Sequence, residues 1–198
     1  MVSVKPSPTK RPDTFDVIYT DPPWCYDGRT FLNKKANETG SASDHYPTMT
    51  LKQMMLMNVK KLRSKKSIMY MWTTGPQLDI SIQLMKAWGY KYKPMAFVWN
   101  KLRVNPGYYT MSQCEYVIVG TYGAIPQPRG LRNIRQLVES RRTVHSRKPH
   151  EVRRRIELMH PEQSRLEMFA RTSFPGWFTH GNQCEQSVQI DLMNGGQR

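Results

Sequence analysis

Apolar and polar positions along the chain follow two alternating periods. Residues 15–19 (FDVIY) form a short, apolar, β-branched run that stops at Pro22-Pro23, which predicts a buried strand with a loop at its carboxyl end. Thr50 then opens a helical pattern in which Leu51, Met54, Met55, Val59 and Leu62 share one face. Lys60, Lys61, Arg63, Lys65 and Lys66 crowd its expected C-terminal end, where the helix dipole favours cations. A second strand is predicted over residues 68–72, and a second helix from Pro76 to Gly89, with Leu78, Ile82 and Met85 a turn apart. Residues 95–99 and 115–120 read as further strands. Pro149 opens a third helix whose Val152, Ile156 and Met159 face inward until Pro161, and two short strands follow at 166–169 and 177–179.

Strands alternating with amphipathic helices predict a single α/β domain: a largely parallel sheet covered on both faces, in three layers. Ligands of such sheets bind beyond the carboxyl ends of the strands, so chemistry is expected in the loops after Tyr19, Trp72, Trp99 and Phe169. Residues 1–13, with three prolines and no apolar period, read as a leader, and 186–198 as a C-terminal tail to a domain over 14–185. The polar, small-residue stretch 29–44 beside the first strand end resembles a lid.

Charge narrows the choice of partner. The 198 residues carry 30 Lys and Arg against 15 Asp and Glu, a formal charge of +15, which attracts a polyanion by Coulomb attraction and counterion release. Nucleic acid is the expected partner. A membrane is not, since no apolar run approaches the roughly 20 residues of a spanning helix. Cys25, Cys114 and Cys184 form no C-x-x-C pair, which suggests a reducing, cytoplasmic compartment, and neither they nor the five histidines have metal-ligand spacing, so no metal is expected.

Asp21-Pro22-Pro23-Trp24 follows the first predicted strand directly and suits chemistry on a purine. The amino nitrogen of adenine is a poor nucleophile because its lone pair is delocalised into the ring. An ionised Asp21 can accept from one N–H and the Pro22 carbonyl from the other, drawing the nitrogen toward a tetrahedral geometry. Two prolines hold that carbonyl in place. Trp24 offers a flat face for stacking a base, worth about 1–3 kcal/mol. The plainer explanation of these four residues is a strand ending in a proline turn with Trp24 in the core.

With these residues in place the chain resembles the DPPW-type N6-adenine methyltransferases, relatives of the catalytic subunit of the messenger-RNA adenosine methyltransferase, and among them the small stand-alone bacterial or phage enzymes. Further segments match in order. Tyr46-Pro47-Thr48-Met49 resembles a Y-x-T-M segment, MYMWTTGPQLDISIQLMKAWGYK a W-x-T-x-G region, and Glu115 to Gly120 a strand opening on an acidic residue near the target base. HSRKPHEV resembles H-S-x-K-P-x-E, LEMFAR resembles L-E-L-F-A-R, and GWFTHGN resembles G-W-x-x-x-G-N. The resemblance implies a circularly permuted Rossmann-like methyltransferase fold, with the catalytic strand first and the cofactor strand near the C-terminus. It implies S-adenosylmethionine as cofactor: Lys148 on its carboxylate, Glu167 and Arg171 on its ribose hydroxyls, and Asp21, His145, Ser146, Phe169, Asn182 and Gln183 around it. The absence of G-x-G-x-x-G after the first strand disfavours a dinucleotide-binding enzyme.

Between residues 129 and 155 ten Lys or Arg face two acidic residues, Glu139 and Glu151. Arg129, Arg132, Arg135, Arg141 and Arg142 are the expected phosphate contacts, with Tyr46, Tyr109 and Glu115 completing the nucleic-acid face, whereas Arg153 to Arg155 equally fit a solvated helix face. DNA is favoured over RNA as substrate because the chain is compact and very basic, and a homodimer stays open. The competing readings are N6-adenosine methylation of RNA, a catalytically inactive binding subunit, and methylation of a protein amide, for which relatives carry Asn in place of Asp21.

Overall fold

The computed structural model describes residues 11–24, 48–107, 109–124, 130–142 and 147–193. The expected leader before residue 11, the lid at 29–44, Cys25, Tyr46, Arg129, His145 and Ser146 lie outside them. Among the described residues, seven strands form one mixed sheet: β1 (Phe15–Thr20), β2 (Arg63–Thr73), β3 (Lys91–Asn105), β4 (Ser112–Tyr122), β5 (Leu137–Glu139), β6 (Arg165–Met168) and β7 (Phe178–His180), in spatial order β5-β3-β4-β2-β1-β6-β7. Among the same residues three α-helices accompany them: α1 (Leu51–Met55), α2 (Leu78–Ala87) and α3 (His150–Met159).

β2 shows how the sheet builds two cores from one strand. Met69 and Met71 point into a cluster with Phe15, Ile18, Leu84, Met85 and Trp88, while Ile68, Tyr70 and Trp72 point into one with Tyr19, Trp99, Val152 and Ile156. Apolar residues of α1 and α2 lie in the first cluster and those of α3 in the second, which gives the expected three layers. At about 25 cal/mol per Å², each fully buried side chain of this size contributes roughly 1.5–3 kcal/mol. The end of α2 follows its sequence signal, with Gly89 at φ +81°, a conformation that a side chain would strain.

The sheet is largely parallel, as expected, with β4 running antiparallel between β2 and β3. Other expectations are corrected. The helix predicted from Leu51 to Leu62 is interrupted. Thr50 and Gln53 form the capping box, but α1 ends at Met55 and a 3₁₀ turn (Val59–Leu62) follows. The break is held from outside: the Asn58 N–H donates to the Asp191 carbonyl at 2.8 Å, and Met57 bridges Leu192. Arg63, Lys65 and Lys66 therefore lie on β2 rather than at a helix end, and the Arg63 guanidinium stacks 3.5 Å from the centre of the Tyr122 ring. The chain after Glu185 also joins the packing, with Val188 buried and the Met193 N–H on the Leu56 carbonyl at 2.7 Å.

Among the described residues no helix is long and apolar enough to cross a membrane, and no three His, Cys, Asp or Glu side chains cluster as metal ligands.

His160, at the end of α3, is buried and shares a 2.8 Å hydrogen bond with the Tyr70 hydroxyl. Burial, with help from Arg165 and against Asp16, lowers its pKa from 6.5 to about 4. A folded value below the unfolded one means the neutral ring stabilises the fold fully above about pH 6.5, and that stabilisation is lost as pH falls toward 4. Urea melts across this window are expected to lose roughly 2–3 kcal/mol. His160→Gln keeps a polar partner for Tyr70 but does not titrate, so its acid limb should be flatter; an unchanged limb would assign the loss to other groups.

Candidate active site at the carboxyl edge of the sheet

Strand direction explains why the charged residues meet. Thr20 at the end of β1 lies opposite Met71 of β2 and Met168 of β6, so Asp21 and Phe169 leave the sheet at one edge. Antiparallel β4 delivers its beginning where parallel strands deliver their ends: Tyr116 pairs with Thr73, and Glu115 pairs with Trp99 of β3. Lys101, two residues on from Trp99, and Lys148, ahead of α3, reach the same edge.

The Lys148 ammonium sits 3.2 Å from Asp21 Oδ1 and 3.2 Å from Glu115 Oε2. The Lys101 ammonium lies 3.4 Å from the other Glu115 oxygen, so four charges alternate in sign: Asp21, Lys148, Glu115, Lys101. Burial alone would raise the Glu115 carboxyl, but Lys148 and then Lys101 outweigh it and hold the carboxyl below its ordinary value. Burial would likewise lower Lys148, and Asp21 and Glu115 raise it instead. Lys148 is also 5.4 Å from the centre of the Trp72 ring. A solvated helix start does not describe it.

The proline turn is tight. The Pro22 carbonyl accepts from the Trp24 N–H at 2.9 Å, which leaves it one lone pair, and the Pro23 carbonyl accepts from the Met49 N–H at 2.8 Å. Trp24 departs from expectation: it is 7% exposed and belongs to the core cluster rather than offering an open face to a base.

Two cavities open beside Asp21 and share Asp21, Phe169 and Arg171 in their walls. The larger, about 320 Å³, is also lined by Pro22, Pro23, Asn182 and Gln183, and the smaller, about 60 Å³, by Lys148, His150, Arg153 and Glu167. Phe169 adopts φ +57°, rare for a non-glycine residue, where β6 turns into both cavities. Gly181 closes the larger one; a Cβ there would run into the Ala170 carbonyl oxygen.

The structure thus brings Asp21, Pro22, Pro23, Glu115, Lys148, Glu167, Phe169, Arg171, Asn182 and Gln183 to one edge. Glu167 forms an ion pair with Arg153, at 2.7 Å. The three consecutive arginines of α3 separate in role. Arg153 faces the small cavity, Arg154 is exposed, and Arg155 pairs with Glu151 and donates to the Arg135 and Leu137 carbonyls at 2.7 Å. Arg132, Arg135, Arg141 and Arg142 are exposed around β5. Tyr109 is 99% exposed where β3 gives way to β4 and lines neither cavity.

Lys101, Arg147, His150 and Arg153 are members of the site that the sequence reading did not single out. For Lys101 no local signal distinguishes it from other strand lysines. Arg153 carries one: it stands one position after the inward-facing Val152 and three before Ile156, close to the buried stripe.

A family model described as MT-A70 matches residues 15–183. The Type II methyltransferase M.MunI of Mycoplasma sp is 44% identical over 178 residues, covering 84% of this chain and 76% of that protein. The N(6)-adenosine-methyltransferase MT-A70-like of Arabidopsis thaliana is 28% identical over 195 residues, covering 93% of this chain and 25% of its own length. The human N(6)-adenosine-methyltransferase catalytic subunit METTL3 is 27% identical over 189 residues, with 89% of this chain and 29% of the relative covered. The chain therefore spans about three quarters of the Mycoplasma protein and only about a quarter of the plant and human ones.

Proposed function

Because the chain belongs to the MT-A70 family, we propose that it transfers the methyl group of S-adenosylmethionine to the N6 amino nitrogen of adenine in DNA. The observation that carries this reading is Asp21, placed directly after β1 and between two cavities, one anionic acceptor next to the doubly paired Lys148.

The residues present suit the cofactor by the chemistry of their donors and acceptors. Lys148 is a cation for a carboxylate, Asp21 is an acceptor for an ammonium, Glu167 is an acceptor and Arg171 a donor for the ribose hydroxyls, and Asn182 and Gln183 are amides for a ribose or base edge. When bound, S-adenosylmethionine supplies the electrophilic methyl group.

The rest is the work of this chain. Asp21 accepts one amino N–H of adenine, and the remaining Pro22 lone pair accepts the other, which localises the nitrogen lone pair. Positive charge grows on that nitrogen during transfer beside the Asp21 carboxylate, with S-adenosylhomocysteine as the leaving group. The surplus N6 proton passes by way of Asp21 to solvent, with Glu115 held at the same edge by Lys148. Lys148 and then Lys101 hold the Glu115 carboxyl below its ordinary value, so it is ionised at neutral pH. An adenine in duplex must be rotated out of the stack to reach this edge.

DNA is favoured over RNA on two grounds: the relative with the higher identity bears the type II methyltransferase designation, and the N(6)-adenosine relatives are more distant and much longer. Incubation with labelled S-adenosylmethionine and matched DNA and RNA pools tests it. Label in DNA is expected; label confined to RNA would move the reading to the adenosine enzymes.

The exposed arginines around β5 are read as phosphate contacts. Simultaneous charge reversal of Arg132, Arg135 and Arg141 is expected to weaken DNA binding and to reduce the slope of log affinity against log salt by roughly two to three. Titrations at several salt concentrations measure this, and an unchanged slope removes these residues from the interface.

A further inference from the structure

Arg153 was the residue most easily assigned to solvent, as one of three adjacent arginines on a helix. Its side chain is only 12% exposed, as is that of Glu167. Its Nε donates to Glu167 Oε2 at 3.0 Å, and its Nη2 donates to Oε1 and Oε2 at 2.7 Å each. The guanidinium lies 3.7 Å from the centre of the Phe174 ring, and its Nη1 is 3.3 Å from His150 Nδ1. It is thus fixed from the side of β6, from Phe174 and from its own helix. Nothing in this arrangement resembles a solvated helix face.

A carboxylate has about four lone-pair sites. The forked donation occupies the side of Glu167 turned to α3, with Oε2 taking two of the three contacts, and leaves the outer edge of the carboxylate, Oε1 above all, for ligand hydroxyls. Arginine alone among side chains makes this planar, two-point attachment; a lysine reaches the same carboxylate through a single point. Burial by itself raises the Glu167 carboxyl, and Arg153 is the largest influence opposing that rise.

We propose that Arg153 is a positioning residue for the cofactor's ribose: it holds Glu167 in the one orientation in which its remaining lone pairs meet the 2′- and 3′-hydroxyls. The proposal rests on the S-adenosylmethionine reading of the site and adds to it a residue outside the matched LEMFAR and HSRKP segments. Arg153 touches neither the transferred methyl group nor the target base, so its removal acts on cofactor affinity and KM rather than on kcat at saturation.

Calorimetric binding of S-adenosylhomocysteine and of its 2′,3′-dideoxy analogue to the full chain and to Arg153→Met tests this without turnover. For the wild type, S-adenosylhomocysteine is expected to bind more tightly than the analogue. Arg153→Met is expected to lose about tenfold in affinity for S-adenosylhomocysteine and to bind the analogue as the wild type does. Arg153→Lys should recover part of the loss. An equal loss for both ligands would reduce Arg153 to a structural support, and a gain in affinity would mean that it occupies the ribose's own place; either overturns the proposal. A partly misfolded variant would lose binding sites in proportion for both ligands, so the ratio of the two affinities still decides. Failure of the wild type to bind S-adenosylhomocysteine would instead strike the cofactor reading itself.

Discussion

Asp21→Ala is expected to abolish methyl transfer, by about 10³-fold or more in kcat, with the fold intact. Removing one preorganised hydrogen-bonding partner from a reacting centre ordinarily costs about 10²–10³ in rate. Here the loss is compounded, because Lys148 would then be held by Glu115 alone and would leave a cation where positive charge must develop. The Asp21 side chain is 29% exposed, so stability should change little. Asp21→Asn separates shape from charge: it keeps an acceptor oxygen and should recover only a small part of the rate. Single-turnover transfer beside thermal melting decides, and an Asp21→Ala protein with near wild-type rate would remove Asp21 from its role.

Lys148→Met is the second large effect. The substitution leaves Asp21 and Glu115 at the same edge without their shared cation, Glu115 keeping Lys101, and in this part-exposed site it costs less stability than the roughly 3–5 kcal/mol of a fully buried pair. A fall of about 10²–10³-fold in kcat/KM is expected from the loss of a preorganised charge beside the reacting carboxylate. The pH profile gives a sharper sign. Lys148 holds the Glu115 carboxyl down, so without it Glu115 protonates at higher pH and the acid limb of kcat/KM moves upward. Lys148→Arg retains the charge and should keep the limb near its wild-type position. A Lys148→Met profile that is merely lower, with an unmoved acid limb, would assign Lys148 to cofactor contact alone.

How much of this the sequence could reveal depends on the range of the forces involved. β1, β2, α2 and α3 were legible because burial on one or two faces writes a period into neighbouring residues: alternation along β2, and Val152, Ile156 and Met159 on α3. β5 was not legible. It is three residues long with Val138 alone buried, and it exists because Val98, Trp99 and Asn100 of β3 offer it partners about forty positions away. The break after α1 was hidden for the same reason, since its cause is the carbonyl of Asp191.

The site divides in the same manner. Asp21, Lys148 and Glu167 lie in motifs that the resemblance carried, and the structure brings them together at one edge. The antiparallel course of β4, which puts Glu115 and Lys101 beside Lys148, is a property of pairing that no local pattern records. Trp24 shows the opposite failure. Its neighbourhood in the motif suggested a stacking platform, but the indole belongs to the core cluster, where its rings are more stable buried. Its ring nitrogen is buried without a hydrogen-bond partner, a cost of about 1–3 kcal/mol that the burial of the rings offsets.

The central claim concerns one atom, the N6 nitrogen of adenine, at one carboxylate. Digestion of DNA methylated by the wild-type chain, with mass-spectrometric comparison against nucleoside standards, tests it most directly. The account predicts N6-methyl-2′-deoxyadenosine as the product, absent when Asp21→Ala replaces the wild type. Methyl groups on cytosine, on adenine ring nitrogen N1 or on protein, with none on N6, would contradict it.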